Sequence, residues 1–71
     1  MVSVISFDRE LTMGEKVRFV RLSKRWRQID VAAIVRCSPS DVSCLERDTI
    51  IPPGVRRRIL DALGIEDDGE A

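Results

Sequence analysis

The tetrapeptide Ser38-Pro39-Ser40-Asp41 constrains this chain more than any other feature, because it has the form of a strong helix start. Ser38 offers a hydroxyl acceptor at the N-cap, Pro39 sits where the first turn needs no amide donor, and Asp41 lies at the positive end of the helix dipole. The predicted helix spans about Pro39 to Arg47. Just before it, Val31, Ala32 and Val35 are spaced to face inward, which predicts a short helix over Gln28 to Val35. Only Arg36, Cys37 and Ser38 remain to turn the chain. Two short helices across so tight a turn must share a core. Val31, Val35, Cys37, Val42 and Leu45 can form it, and Ala32 is small enough to allow close approach.

The flanking segments extend this pattern. Thr12 followed three residues later by Glu15 has the form of a capping box, and the apolar run behind it predicts the longest helix, from about Met13 to Arg25. On that helix Met13, Val17 and Val20 make one apolar stripe, while Phe19, Leu22 and Trp26 make a second on another side. The second stripe faces either further parts of the bundle, an N-terminal arm or a second subunit. Pro52 and Pro53 open a last segment, whose Val55, Ile59, Leu60 and Leu63 give a helical face closed by Gly64. Residues 1–7, rich in β-branched side chains, predict an extended arm or short strand. The expected organisation is an N-terminal arm over residues 1–12, one domain over 13–65 and a disordered acidic tail over 66–71. The fold class is all-α, a small four- to five-helix bundle. A core within 71 residues is small enough that dimerisation is expected to reinforce it.

Composition narrows the function classes. Hydrophobic residues are 44% and charged residues 34% of the chain, which suits a soluble globular domain. Neither a membrane-spanning stretch nor a signal peptide is legible, so a cytoplasmic location is expected. The chain has no histidine and two cysteines, Cys37 and Cys44, whose spacing on one helix is ~10 Å of rise, too far for a disulfide and too few for zinc. With no metal cluster and no glycine-rich phosphate loop, the reading is of a non-enzyme needing neither cofactor nor small-molecule ligand. Formal net charge is zero, but unevenly spread. Glu66, Asp67, Asp68 and Glu70 crowd the last six residues, and residues 1–65 hold 12 basic side chains against 8 acidic ones. The body is basic and the tail acidic.

Over about Gly14 to Ile65 the sequence resembles the Cro/C1-type helix-turn-helix family, also called phage-repressor or XRE-like. The resemblance rests on Val17-Arg18, Val20-Arg21, Trp26 with Gln28, Val31-Ala32, the Ser38 start, Val42-Ser43, Leu45-Glu46-Arg47 and Ala62-Leu63-Gly64-Ile65. It implies a lambda-repressor-like bundle with an N-terminal arm, encoded by a bacterium or phage. The implied function is sequence-specific double-stranded DNA binding by a small transcriptional regulator, of the phage, mobile-element or restriction-modification controller type. The resemblance also implies a homodimer on a pseudo-palindromic operator, and a structural ion pair between Arg21 and Glu46. Two positions depart from the family pattern. Arg36 and Asp48 stand where the family favours glycine, and at Arg36 the turn tends towards positive φ.

In that reading the helix from Pro39 enters the major groove, with Ser40, Asp41, Ser43, Cys44 and Arg47 as base-reading candidates. Arg47 is the one among them able to form a two-pronged contact with guanine. Asp41 could accept from cytosine, but an acid at a helix start is more often a cap, and Cys44 offers apolar contact to a thymine methyl. Arg27, Gln28, Arg36, Ser38 and Arg56 are the phosphate-contact candidates, Arg56 within the run Arg56-Arg57-Arg58. Arg18, Arg21 and Arg25 fall on one face of the first predicted helix. The competing reading is a helix-turn-helix protein-interaction module, such as an antitoxin or adaptor, and a recombination directionality factor is a further alternative.

Overall fold

A computed structural model describes residues 11–66. They form four helices: α1 (Met13–Ser23), α2 (Gln28–Val35), α3 (Pro39–Glu46) and α4 (Pro53–Leu63). No strand occurs among the described residues, so the chain is a small all-helical domain. The expected N-terminal arm lies outside the described residues except for Leu11 and Thr12, and of the acidic tail only Glu66 is within them. No helix among the described residues is long and apolar enough to cross a membrane.

The helices surround one core. Val17 from α1, Val31, Ala32 and Val35 from α2, Val42 and Leu45 from α3, and Ile59, Leu60 and Leu63 from α4 are all buried. Ile51, in the loop between α3 and α4, drops into the same cluster while its neighbour Ile50 stands 94% exposed. Full burial of an aliphatic side chain contributes about 1.5–3 kcal/mol, so this core carries most of the stabilisation available to so short a chain. α3 packs against both α1 and α2, and α2 also packs against α4. Of the two stripes expected on the first helix, the first serves the core, and of the second only Trp26 packs partly against it. Met13, Val17 and Val20 pack inward, whereas Phe19 and Leu22 are each about half exposed.

All four helices end in the same way. Each finishes with a residue in the left-handed region: Arg25 (φ 62°), Arg36 (φ 63°), Asp48 (φ 62°) and Gly64 (φ 71°). The next amide then reaches back five residues, Trp26 to the Arg21 carbonyl, Cys37 to Ala32, Thr49 to Cys44 and Ile65 to Leu60. This is the Schellman arrangement, which satisfies carbonyls that a helix end leaves bare. Glycine adopts it without strain, while other residues incur about 1–2 kcal/mol. Here three of the four turns use non-glycine residues, and each has a side-chain hydrogen bond beside it, from within the same turn at Arg25 and from across the fold at the other two. The Arg21 guanidinium donates to the Trp26 carbonyl, Arg58 donates to the Val35 and Arg36 carbonyls, and the Asp48 carboxylate accepts from the Gly14 amide.

These turns correct two expected boundaries. α1 stops at Ser23, with Lys24 as cap, because Arg25 turns left-handed. Arg25 therefore leaves the helical face expected to hold Arg18, Arg21 and Arg25 together. α3 likewise stops at Glu46, and Arg47 is its C-cap rather than its last helical residue.

Candidate nucleic-acid interface

The placement of α3 begins at its carboxyl end. Arg21 of α1 is buried, and its guanidinium donates from Nε and Nη2 to the Glu46 carboxylate. The two side chains are 9% and 4% exposed. Burying two charges is costly unless their remaining hydrogen-bonding groups find partners. Here they do: Arg21 Nη1 donates to the Trp26 carbonyl at 2.9 Å, and Gln28 Nε2 of α2 donates to Glu46 Oε1 at 3.1 Å. One carboxylate on α3 thus joins α1 and α2. The ion pair implied by the family resemblance is present.

A backbone contact tightens the same corner. Gly14 in the first turn of α1 lies so close to α3 that a Cβ there would stand 2.5 Å from the Glu46 carbonyl oxygen and 2.6 Å from that of Leu45. Both obstacles are main chain, so no side chain can swing aside. The Gly14 amide donates to Asp48 Oδ1 at 2.9 Å, while Thr12 Oγ1 accepts from Glu15 and the Glu15 carboxylate accepts from Thr12. α1 consequently has two N-terminal caps, one from its own sequence and one from beyond α3. Asp48, a departure from the pattern that the sequence otherwise resembles, supplies the second cap through its side chain. Sequence reasoning did not single out Gly14 or give Asp48 this role. The signal for the first was a glycine inside an otherwise helical pattern, which costs ~1 kcal/mol against alanine and so points to a packing reason.

The amino end of α3 is held differently. Ser38 Oγ accepts from the Asp41 amide at 3.2 Å, and Asp41 Oδ2 accepts from the Ser38 amide at 3.4 Å. This reciprocal box lies within four residues and reaches no other helix. Asp41 is therefore engaged as a cap. Ser38, Pro39 and Ser40 are exposed, and Ser43 and Cys44 are half-buried. Cys44 leans partly against the core. Arg47 is exposed and runs back along the helix, with Nη1 donating to Ser43 Oγ at 2.7 Å and Nη2 lying 3.8 Å from the Cys44 sulfur. Ser40 and Arg47 are the exposed polar part of the predicted reading face, with Ser43 half-buried between them.

Among the predicted phosphate contacts, Arg27, Gln28 and Ser38 already engage polar partners. Arg27 is exposed at the N-cap of α2, where it has no acceptor to offer. Asp30 compensates by accepting from both the Arg27 amide and its guanidinium. Those bonds hold the Asp30 carboxyl below the usual carboxylate range and raise Arg27 further. Arg36 is exposed at the left-handed turn. Gln28 spends its amide nitrogen on Glu46. In the run of three arginines, Arg58 caps the carboxyl end of α2 through the Val35 carbonyl at 3.0 Å, whereas Arg56 and Arg57 line a groove along α4. That capping role was not legible in the sequence, since nothing local joins residue 58 to residue 35.

Neither cysteine forms a disulfide. Burial pushes the Cys37 thiol up, the Asp41 charge adds to this, and Arg58 opposes it. Cys37 is a packing residue that stays protonated at neutral pH. Among the described residues no group of three or more histidine, cysteine, aspartate or glutamate side chains could hold a metal ion.

No protein-family model matches the chain, and comparison with curated proteins and with solved structures finds no significant match.

Proposed function

We propose that this chain is a sequence-specific double-stranded DNA-binding protein, a small repressor-like transcriptional regulator with a lambda-repressor-like fold of the Cro/C1 kind. The observation that carries the reading is the asymmetric mounting of α3. Its carboxyl end is fixed by the Arg21–Glu46–Gln28 network, while at its amino end Ser38, Pro39 and Ser40 are exposed, and Arg47 lies back along the helix to the half-buried Ser43. A helix that enters the major groove needs this arrangement: rigid placement at one end and an uncovered polar face at the other. Arg47 reads guanine in this proposal after exchanging its internal bonds for the base edge. Ser40 and Ser43 give less selective contacts, and Arg27, Arg36, Ser38 and Arg56 approach phosphates. The protein acts in the cytoplasm as a homodimer on a pseudo-palindrome, with its two recognition helices about one DNA turn apart.

Selection of duplexes from a random library, then titration of the best sequence at several salt concentrations, tests this reading. The expected outcome is a discrete two-fold-symmetric motif, with Arg47→Ala losing about 1–3 kcal/mol of discrimination at one position of each half-site. Failure to enrich any motif would sink it. The protein-interaction reading would then lead, supported by the half-exposed Phe19, Leu22, Ile29 and Ile34.

A further inference from the structure

The end of α2 and the last turns of α4 form the walls of an open groove of about 420 Å³, lined by Ile34, Val35, Arg36, Arg58, Asp61 and Ala62. Its surface is chiefly apolar. Val35 turns into the core, whereas its neighbour Ile34 lines the groove and stays 52% exposed. A large aliphatic side chain half in water beside an apolar groove is surface that association would bury. Three charged residues share the lining. The Arg58 guanidinium is spent on the Val35 and Arg36 carbonyls, at 3.0 and 3.4 Å. The other two, Arg36 on the α2 wall and Asp61 on the α4 wall, are exposed, and neither side chain has a hydrogen bond or ion pair among the described residues. The backbone that carries Arg36 is held: its left-handed turn is closed by the bond from the Cys37 amide to the Ala32 carbonyl, and Arg58 donates to its own carbonyl.

We propose that this groove is a two-fold contact between two copies of the chain, in which Ile34 of each protomer packs into the groove of the other and Arg36 pairs with Asp61 of the partner subunit. Charge complementarity selects this occupant. In an isologous interface one patch meets itself, so residue i touches residue j and j touches i. A patch with an unpaired cation on one wall, an unpaired anion on the other, and both an apolar knob and an apolar hole is complementary to itself after a half-turn. A foreign partner would have to bring an anion and a cation at the same spacing; a second copy brings them by symmetry. The small core adds a reason for association, since a contact made only by the folded chain stabilises it by mass action. Six lining residues fall well short of the roughly 20–30 a side of a standard interface, so the dimer is weak and concentration-dependent. None of the lining residues belongs to α3, and the five N–H donors of the Arg36 guanidinium leave some for a phosphate once the carboxylate is paired.

Sedimentation equilibrium of the full chain without DNA, from about 10 µM to 1 mM at low salt, tests this contact. The unaltered protein is expected to pass from monomer to dimer across that range. Ile34→Ser removes the knob and should weaken association by about tenfold or more. Arg36→Asp alone, and Asp61→Arg alone, each set like charges against one another at both symmetry-related places and should weaken it by about tenfold. The decisive arm is the mixture of those two single variants. In a heterodimer of them both cross-subunit pairs are again of opposite charge, so the mixture should associate about as tightly as the unaltered protein. A variant that failed to fold could not produce that recovery. A protein that stays monomeric to the top of the range would overturn the proposal, as would a dimer indifferent to Ile34→Ser, or a mixture no tighter than either variant alone. DNA is absent from every arm, so these outcomes leave the DNA-binding reading to its own test.

Discussion

The two ends of α3 are built from different kinds of interaction. At the carboxyl end, Glu46 accepts from Arg21 and Gln28, the backbone of Leu45 and Glu46 meets Gly14, and Asp48 caps α1. Every one of these joins residues far apart in the chain. At the amino end, Ser38 and Asp41 cap each other within a single turn, and Val42 is the nearest buried anchor. The contrast teaches how a short helix can be both fixed and available. Long-range bonds at one end set its position and angle, and self-contained capping at the other leaves Ser38 and Ser40 exposed.

The contrast can be broken most severely at the carboxyl end. Glu46→Ala leaves the buried Arg21 without its counter-charge, and a loss of about 3–5 kcal/mol in urea denaturation is expected. Replacing both partners by leucine should recover much of that loss, because the cost lies in the unpaired charge. Gly14→Ala comes next, at about 1–3 kcal/mol, since the new methyl meets two backbone carbonyls. Gly54→Ala is its control: nothing lies within 4 Å of a Cβ there, so the same chemical change should be neutral or slightly stabilising. At the amino end Ser38→Ala should cost only about 1 kcal/mol. Its signature should be faster amide exchange confined to the first turn of α3. A comparable slowing or speeding of exchange at Leu45 or Glu46 would contradict the independence of the two ends.

Smaller effects sharpen the picture. Arg36→Gly relieves the left-handed strain in the turn and is expected to stabilise by about 0.5–1 kcal/mol in thermal melts. The smallest effect belongs to Asp30, which pairs with the exposed Arg27 at the start of α2. Its carboxyl is depressed in the folded protein, so its contribution is present above the ordinary aspartate range and is lost as pH falls through the lowered value. Asp30→Asn should therefore lower the melting temperature slightly at neutral pH and leave it unchanged in acid.

What could be read from the residues follows this division between near and far. The starts of α1 and α3 were legible because Thr12 with Glu15, and Ser38 with Asp41, complete their boxes within four residues. The inward faces of α2 and α4 followed from spacing, and Val31, Ala32, Val35, Ile59, Leu60 and Leu63 are all buried. The end of α4 was legible because Gly64 advertises its conformation. The end of α1 was not. Arg25 carries no local sign of a left-handed residue, and the turn there is supported by a hydrogen bond from Arg21 to Trp26.

The candidate site divides in the same way. Placing Ser40, Ser43 and Arg47 apart from Val42 and Leu45 needed only helical periodicity. The engagement of Gln28 with Glu46, of Arg58 with the end of α2, and of Asp48 with Gly14 needed the packed structure. The sequence by itself determined where helices begin, which faces are apolar and how the charge is distributed, because caps, periodicity and composition act between near neighbours. Only the tertiary structure decided where non-glycine turns are tolerated and which cations are consumed internally. Those outcomes depend on hydrogen bonds that exist only once residues 14 and 48, 21 and 46, or 35 and 58 have been brought together.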